Sequence, residues 1–337
     1  LSMTLTDPFG RTINYLRLSI TDRCNLRCLY CMPNDGVERI SHDEVLRFEE
    51  LLRICRVLAK LGVATVRVTG GEPLVRKGAT GFVGQLKAVD GIKRVTMTSN
   101  GVLLGGNLQT LASAGLDAVN ISLDTLDEEK FRHMTKGGGL GNILSAIDAA
   151  LKLGLGVKIN CVPMRGFNEE DIVRLAALAK DRKMAVRFIE LMPLGAAAAM
   201  LPIPINEVVS VIEEAFGPLT ASQAKLGSGP AVYYTLSGFA GHIGIIGALS
   251  RGFCESCNRL RITSSGILKP CLSSDLGVDL RRLVRENDCD KKIEAAVLEL
   301  VAKKPAGHSF GGVTAGVAVG GGEKHDHRKK EMFRIGG

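Results

Sequence analysis

Three thiols crowd one short stretch, Cys24-Asn25-Leu26-Arg27-Cys28-Leu29-Tyr30-Cys31, at x3 and x2 spacing. A closed structural zinc site takes four protein ligands, and no fourth Cys or His follows within ten residues. A cubane of four irons held by three thiolates instead leaves one iron free to bind a small molecule. The alternative is a zinc knuckle that takes its fourth ligand from elsewhere in the fold.

A second set of three follows far downstream, Cys254-x2-Cys257-x13-Cys271. Zinc remains open here too, with His242 and Cys289 as the nearest candidates for a fourth ligand. Between these cysteines runs Asn258-Arg259-Leu260-Arg261-Ile262, and strand alternation puts Arg259 and Arg261 on one face. Two guanidiniums beside a metal site suit a phosphate-bearing ligand.

The elements that must carry these groups alternate. Strand patterns at 15–20, 64–69, 93–98, 117–123, 157–162 and 186–191 are separated by helical patterns at 80–89, 108–114, 143–153 and 169–180. After the first strand, Ser41 and Glu44 mark a capping box that opens one helix running to Gly62. Such alternation predicts parallel strands with crossover helices, six strands rather than the eight of a closed barrel. Ligands of α/β folds gather at the carboxyl ends of the strands. The cysteine loop, Gly70-Gly71-Glu72-Pro73, Thr98-Ser99-Asn100-Gly101, Ser122-Leu123-Asp124 and Met192-Pro193 all fall there. Two adjacent glycines let backbone amides and carbonyls approach a ligand closely. From about Ala196 the repeat stops, and 206–216 (a helix), 232–236 and 243–246 (strands) read as a different, antiparallel module.

Composition sets bounds. The 337 residues, 45% hydrophobic, suffice for a sizeable core. Nine cysteines, an odd number, argue against a disulfide framework and for a reducing compartment. No run of 18 apolar residues occurs, so no membrane span is predicted. The net charge of +8 asks for an anionic partner. Nucleic acid is disfavoured, because aromatics make up only 4% with no Trp and no stretch interleaves them with basic residues. A nucleoside triphosphate met by a few placed arginines fits better. The chain begins Leu1-Ser2-Met3, which leaves a removed upstream segment open.

The C-x3-C-x2-C loop, with Tyr30 before its last Cys, resembles that of the radical S-adenosylmethionine (SAM) superfamily. Within it, the chain is similar to the GTP 3′,8-cyclases of molybdenum cofactor biosynthesis over nearly its whole length. The pieces that carry the resemblance are Asp7-Pro8-Phe9-Gly10-Arg11, Tyr15-Leu16-Arg17, Thr21-Asp22-Arg23-Cys24, Cys31-Met32-Pro33, Val68-Thr69-Gly70-Gly71-Glu72-Pro73-Leu74, Asn120-Ile121-Ser122-Leu123-Asp124-Thr125, Arg187-Phe188-Ile189-Glu190, Cys257-Asn258-Arg259-Leu260-Arg261 and Gly336-Gly337. The resemblance implies an incomplete (βα)6 TIM-like barrel over 1–195, a C-terminal α+β extension over 196–303 with a second iron-sulfur cluster, and a linker and Gly-Gly tail over 304–337.

It also implies two [4Fe-4S] clusters, one on Cys24, Cys28 and Cys31, the other on Cys254, Cys257 and Cys271. SAM would meet Tyr30, Gly71, Ser122 and Met192, while GTP would meet Arg17, Arg67, Thr98, Lys158, Arg259, Leu260 and Arg261. Gly336, Gly337 and Arg17 would be catalytic, the tail by inserting toward the active site. The implied reaction is hydrogen abstraction from C3′ of the ribose and closure onto C8 of guanine, giving 3′,8-cyclo-7,8-dihydro-GTP. Its implied partners are an external one-electron reductant and a separate cyclic pyranopterin monophosphate synthase, with a homodimer open. Its compartment is cytoplasmic, or the mitochondrial matrix if a transit peptide was removed.

Two other functions compete: a radical SAM enzyme with an auxiliary cluster that modifies a peptide or RNA, and a zinc-stabilised basic binding module without catalysis. Cys55, Cys161 and Cys289 read as packing residues. The Gly-rich 311–322 run reads as a linker, and His325 and His327 as part of a solvated charged segment. Asp124 and Glu190 stand at strand ends without an assigned role.

Overall fold

The computed structural model describes residues 4–32, 40–250, 252–286 and 289–310. Pro33, the Gly-rich 311–322 run, His325, His327, Gly336 and Gly337 lie outside the described residues.

Six βα units open the chain. They comprise β1 (Tyr15–Ser19), α1 (Phe48–Lys60), β2 (Thr65–Thr69), α2 (Ala79–Lys87), β3 (Arg94–Ser99), α3 (Leu108–Ser113), β4 (Ala118–Ser122), α4 (Glu128–Thr135), α5 (Leu140–Lys152), β5 (Gly156–Cys161), α6 (Asp171–Ala177), β6 (Ala185–Ile189) and α7 (Ile205–Phe216). β1 to β6 pair in sequence order, all parallel, as the alternation predicts. The apolar stripe of α1, with Leu51, Ile54, Cys55 and Leu58, and Phe82 of α2 are buried against Leu18, Val66 and Val95 in one continuous core. Burying each such side chain contributes about 1.5–3 kcal/mol.

The first helix differs from expectation. Glu44 does reach back to the Ser41 N–H (3.2 Å), but on a single 3-10 turn. Val45 is extended, and Leu46 is buried, with its N–H bonded to the Ser264 carbonyl (3.0 Å). The helix restarts at Phe48, with Glu50 capping the Arg47 N–H (2.6 Å). The tertiary anchor at Leu46 thus overrides the helical periodicity.

The C-terminal part, read as a separate antiparallel module, joins the same sheet. After β7 (Thr220–Ala221) and β8 (Val232–Thr235) comes β9 (His242–Ile246), antiparallel to β8 but parallel to β6. β10 (Arg259–Ile262) lies parallel to β1, and β11 (Ile267–Lys269) and β12 (Val278–Asp279) continue it antiparallel. The order β12-β11-β10-β1-β2-β3-β4-β5-β6-β9-β8-β7 gives eight adjacent parallel strands in an unclosed sheet. Finally α8 (Leu280–Arg285) and α9 (Asp290–Ala302) pack on α1.

Candidate active site

The concave face of the sheet carries a polar belt set by strand register. Arg261, Arg17, Arg67 and Thr96 stand side by side on β10, β1, β2 and β3. Thr98, Asn120 and Lys158 continue on β3, β4 and β5, and Asn160 pairs with Arg187 on β5 and β6. Burying so many cations together is costly unless an anion joins them. Burial, then Arg261 and Arg67, push the Arg17 guanidinium well below its usual range, and burial with Arg259 pulls Arg261 down to about 10. Arg67 donates to Thr96 Oγ1 (3.3 Å) and lies over Tyr15 (5.6 Å); Arg187 Nε donates to Asn160 Oδ1 (2.9 Å). Among the described residues, Thr98 Oγ1 and both polar atoms of the fully buried Asn120 have no hydrogen-bond partner.

One cavity opens on this belt and on the carboxyl ends of the strands. Both cysteine sets line it, Cys24, Cys28 and Cys31 on one side and Cys254, Cys257 and Cys271 on the other. All six are half-buried and in no disulfide. Tyr30, Gly71, Ser122, Met192, Arg17, Arg67, Thr98, Arg259 and Arg261 line the same cavity. Two expected substrate contacts do not. Leu260 alternates to the far side of β10 and is buried in the core. Lys158 lies off the cavity wall with its ammonium bonded to the Leu226 carbonyl, and burial followed by Arg187 and Arg67 lowers it to about 7.

The glycines of Gly70-Gly71-Glu72-Pro73 serve first to seat the cysteine loop. A Cβ on Gly70 would lie 2.5 Å from the Thr21 oxygen, and one on Gly71 2.4 Å from the Arg23 oxygen. Backbone N–H groups of Gly71 and Glu72 donate to those same carbonyls, both at 2.8 Å. Glu72 is fully buried and accepts from Leu74 N, Ser99 Oγ and Asn100 N; burial nevertheless raises its carboxyl to about 7. Asp124 acts similarly beneath Tyr30, accepting from the Tyr30 hydroxyl (2.9 Å) and Val162 N–H (2.8 Å), and burial raises it to about 6. Cys28 is driven up by burial, then by Cys31, Asp124 and Cys24.

The second set is held by cations. Arg11, ion-paired with buried Asp7 (2.5 Å), donates to the carbonyls of Cys254 (2.7 Å), Ala306 (2.8 Å) and Pro305 (2.6 Å). Lys304, 3% exposed, donates to the carbonyls of Arg259 (3.0 Å) and Pro270 (2.5 Å). Burial opposes ionisation of Cys257, but Arg259 and Lys304 outweigh it and bring the thiol down to about 7. Glu190 accepts from the N–H groups of Leu249 (2.7 Å) and Ser250 (2.9 Å), fixing the strand-end loop that leads to Cys254.

Among the described residues, no three His, Cys, Asp or Glu side chains are gathered tightly enough to hold a single metal ion. Zinc needs its thiolates about 2.3 Å from one point. A cluster presents its irons at separate corners, so each of its thiolates binds a different iron rather than one shared point. His242 and Cys289, the proposed fourth zinc ligands, line no part of the cavity; Cys289 is exposed ahead of α9 rather than packed. Cys55 and Cys161 are buried in the core, as expected.

Sequence reasoning missed Arg11, Lys304, His308 and Phe310. Arg11 falls in a quoted N-terminal motif, whereas the last three carry no local signal. Among the described residues, no helix is long and apolar enough to cross a membrane.

The chain is similar to proteins of known family. Residues 18–179 match the Radical SAM superfamily and 184–310 match Molybdenum Cofactor Synthesis C. The chain is 45% identical over 308 residues to the GTP 3′,8-cyclase of Pelotomaculum thermopropionicum, covering 90% of this chain and 95% of that one. It is 41% identical over 334 residues to the GTP 3′,8-cyclase of Peptoclostridium acidaminophilum, covering 99% and 98%. In fold it is similar to Streptococcus suis SuiB bound to S-adenosylmethionine, with a TM-score of 0.58 at 15% identity, over 88% of this chain and 66% of that one.

Proposed function

We infer the activity from one premise: the chain belongs to the GTP 3′,8-cyclase family of the radical SAM superfamily. It is a radical SAM enzyme that converts GTP to 3′,8-cyclo-7,8-dihydro-GTP, the first step of molybdenum cofactor biosynthesis. The observation that carries this is the meeting of two cysteine triads and a cationic belt on one cavity. An aggregate of buried guanidiniums needs a polyanion, and a triphosphate answers that need.

Cys24, Cys28 and Cys31 would hold the cluster that supplies the one-electron chemistry on SAM, fed by an external reductant. Tyr30, Gly71, Ser122 and Met192 would bind SAM beside it, with Asp124 fixing the Tyr30 ring. Cys254, Cys257 and Cys271 would hold a second cluster, which would supply a binding position for the guanine. Arg17, Arg67, Arg259 and Arg261 would take the triphosphate, with Thr98 at the ribose side and Lys158 joining if it releases Leu226. Charge matching and a site walled from solvent are the protein's contributions to placing C3′ for hydrogen abstraction. Gly336 and Gly337, outside the described residues, belong to the same proposal as catalytic residues of the tail. Consumption of the product by a separate synthase, a homodimer, and a cytoplasmic location complete the reading, the last supported by bacterial relatives.

The test is anaerobic. The chain, reconstituted with iron and sulfide, is given dithionite and SAM with and without GTP, and 5′-deoxyadenosine and any isomer of GTP are quantified by mass spectrometry. GTP-dependent 5′-deoxyadenosine with an isomer of GTP supports the reading. Equal SAM cleavage without GTP and no isomer refutes the substrate.

A further inference from the structure

We propose that Asn100 sets the reduction potential of the first cluster by donating an N–H···S hydrogen bond to Cys24. The inference rests on the reading of Cys24, Cys28 and Cys31 as cluster ligands.

Asn100 follows β3 directly, on the cavity wall. Its Oδ1 accepts from the Val102 N–H at 3.0 Å, so the amide cannot turn over without losing that bond. The Nδ2 end therefore faces the cysteine loop, donating to Asn25 Oδ1 (2.8 Å) and reaching Cys24 Sγ at 3.7 Å, a distance suited to a bond to sulfur. A second donor, the Leu26 N–H, approaches the same sulfur at 3.4 Å.

What fixes Asn100 is itself tied to the loop. Its backbone N–H donates to Glu72 Oε2 (2.6 Å), and the Glu72 N–H donates to the carbonyl of Arg23 (2.8 Å), the residue before Cys24. Three hydrogen bonds link Arg23, Glu72, Asn100 and Cys24 in a circuit closed by the Arg23–Cys24 peptide bond. The circuit gives a buried glutamate and a strand-end asparagine a shared task, which is to aim one N–H at one thiolate. Such outer partners orient ligands and tune the metal group they hold.

One-electron reduction adds one negative charge to a cluster and its thiolates, with no bond made or broken. A hydrogen bond donated to the sulfur stabilises the more negative form, so it raises the potential. The bond from Asn100 thus makes the cluster easier to reduce by whatever donor supplies the electron.

The experiment is a mediator titration with dithionite on the reconstituted full chain, followed by electron paramagnetic resonance, with the first cluster identified as the signal that changes on adding SAM. Asn100→Ala should shift its reduction equilibrium about tenfold, about 59 mV toward negative potential for one electron. Asn100→Asp keeps the size and the Val102 contact but faces the thiolate with a carboxylate, and should shift further in the same direction. Either variant loading iron normally and titrating at the unsubstituted potential overturns the proposal. So does collapse of iron loading in both, which would assign Asn100 to holding the loop. Absence of a SAM-responsive signal in the unsubstituted chain would instead refute the cluster reading beneath it.

Discussion

The two cysteine triads face one cavity, yet they are built by opposite means. The first is local, three thiols on an eight-residue loop seated by backbone bonds from Gly71 and Glu72. Buried carboxyls, Glu72 and Asp124, stand behind it, both raised by burial. The second is assembled from distant parts: Cys254 and Cys257 before β10, Cys271 after β11, Arg11 from 243 residues upstream and Lys304 from 34 residues downstream of Pro270. Its surroundings are cationic, and one thiol, Cys257, is brought down to about 7 by Arg259 and Lys304 against the pull of burial. The contrast separates the two tasks. On the proposed reading the arginine-rimmed side would take the polyanionic substrate, whereas the first triad, backed by carboxyls, would serve SAM, whose sulfonium makes it a net cation.

Removing one thiol from each side tests the contrast most severely. Cys28→Ala should abolish 5′-deoxyadenosine formation, while Cys257→Ala should lose about half the iron and the GTP isomer but retain some SAM cleavage. Iron assay and mass spectrometry read both, and identical losses in the two variants would erase the distinction. Arg11→Ala leaves the buried Asp7 carboxylate unpaired, at a cost of about 3–5 kcal/mol. Thermal scans should show Tm lower by on the order of 10 °C, with iron lost from the second triad before the first.

Glu72 offers a pH test on the cluster-free chain. Its folded pKa, about 7, lies above the ordinary value of 4.5, so the folded chain holds that proton more tightly. Its contribution to stability is full below 4.5 and is lost as pH rises through about 7. Relative to Glu72→Gln, the unsubstituted chain should lose on the order of 3 kcal/mol across that window. Urea midpoints at the two ends measure it, and parallel slopes would mean the carboxyl is not desolvated in solution. Arg261→Ala sharpens the comparison at the substrate side. KM for GTP should rise about 10–100-fold, the loss of a charged hydrogen bond, with SAM cleavage without GTP unchanged; an unchanged KM would place the phosphates elsewhere.

Much of this was legible because short-range rules govern it. Strand patterns alternating with helical ones marked all six leading strands, and the motifs at their ends landed on the cavity. Leu46 broke a helix that periodicity had joined, because its N–H bonds to the Ser264 carbonyl while Val45 and Arg47 on either side are extended. Lys158 reads as a substrate contact but is held by Leu226, a partner 68 residues away that no local pattern reveals.

The sequence alone determined the chemistry: which thiols cluster, which strands alternate with helices, and that Arg259 and Arg261 share a face. These depend on spacing along one chain segment, where backbone geometry is fixed by covalent structure and side-chain periodicity. Only the tertiary structure decided that β10 lies beside β1 and β9 beside β6, so that Arg261 joins Arg17 and Arg67 in one row. Parallel pairing leaves no mark of its partner in either strand's sequence; hydrogen bonds between backbones are common to every residue type. The buried cations Arg11 and Lys304 belong to the same class, since their worth lies in the carbonyls that folding brings to them.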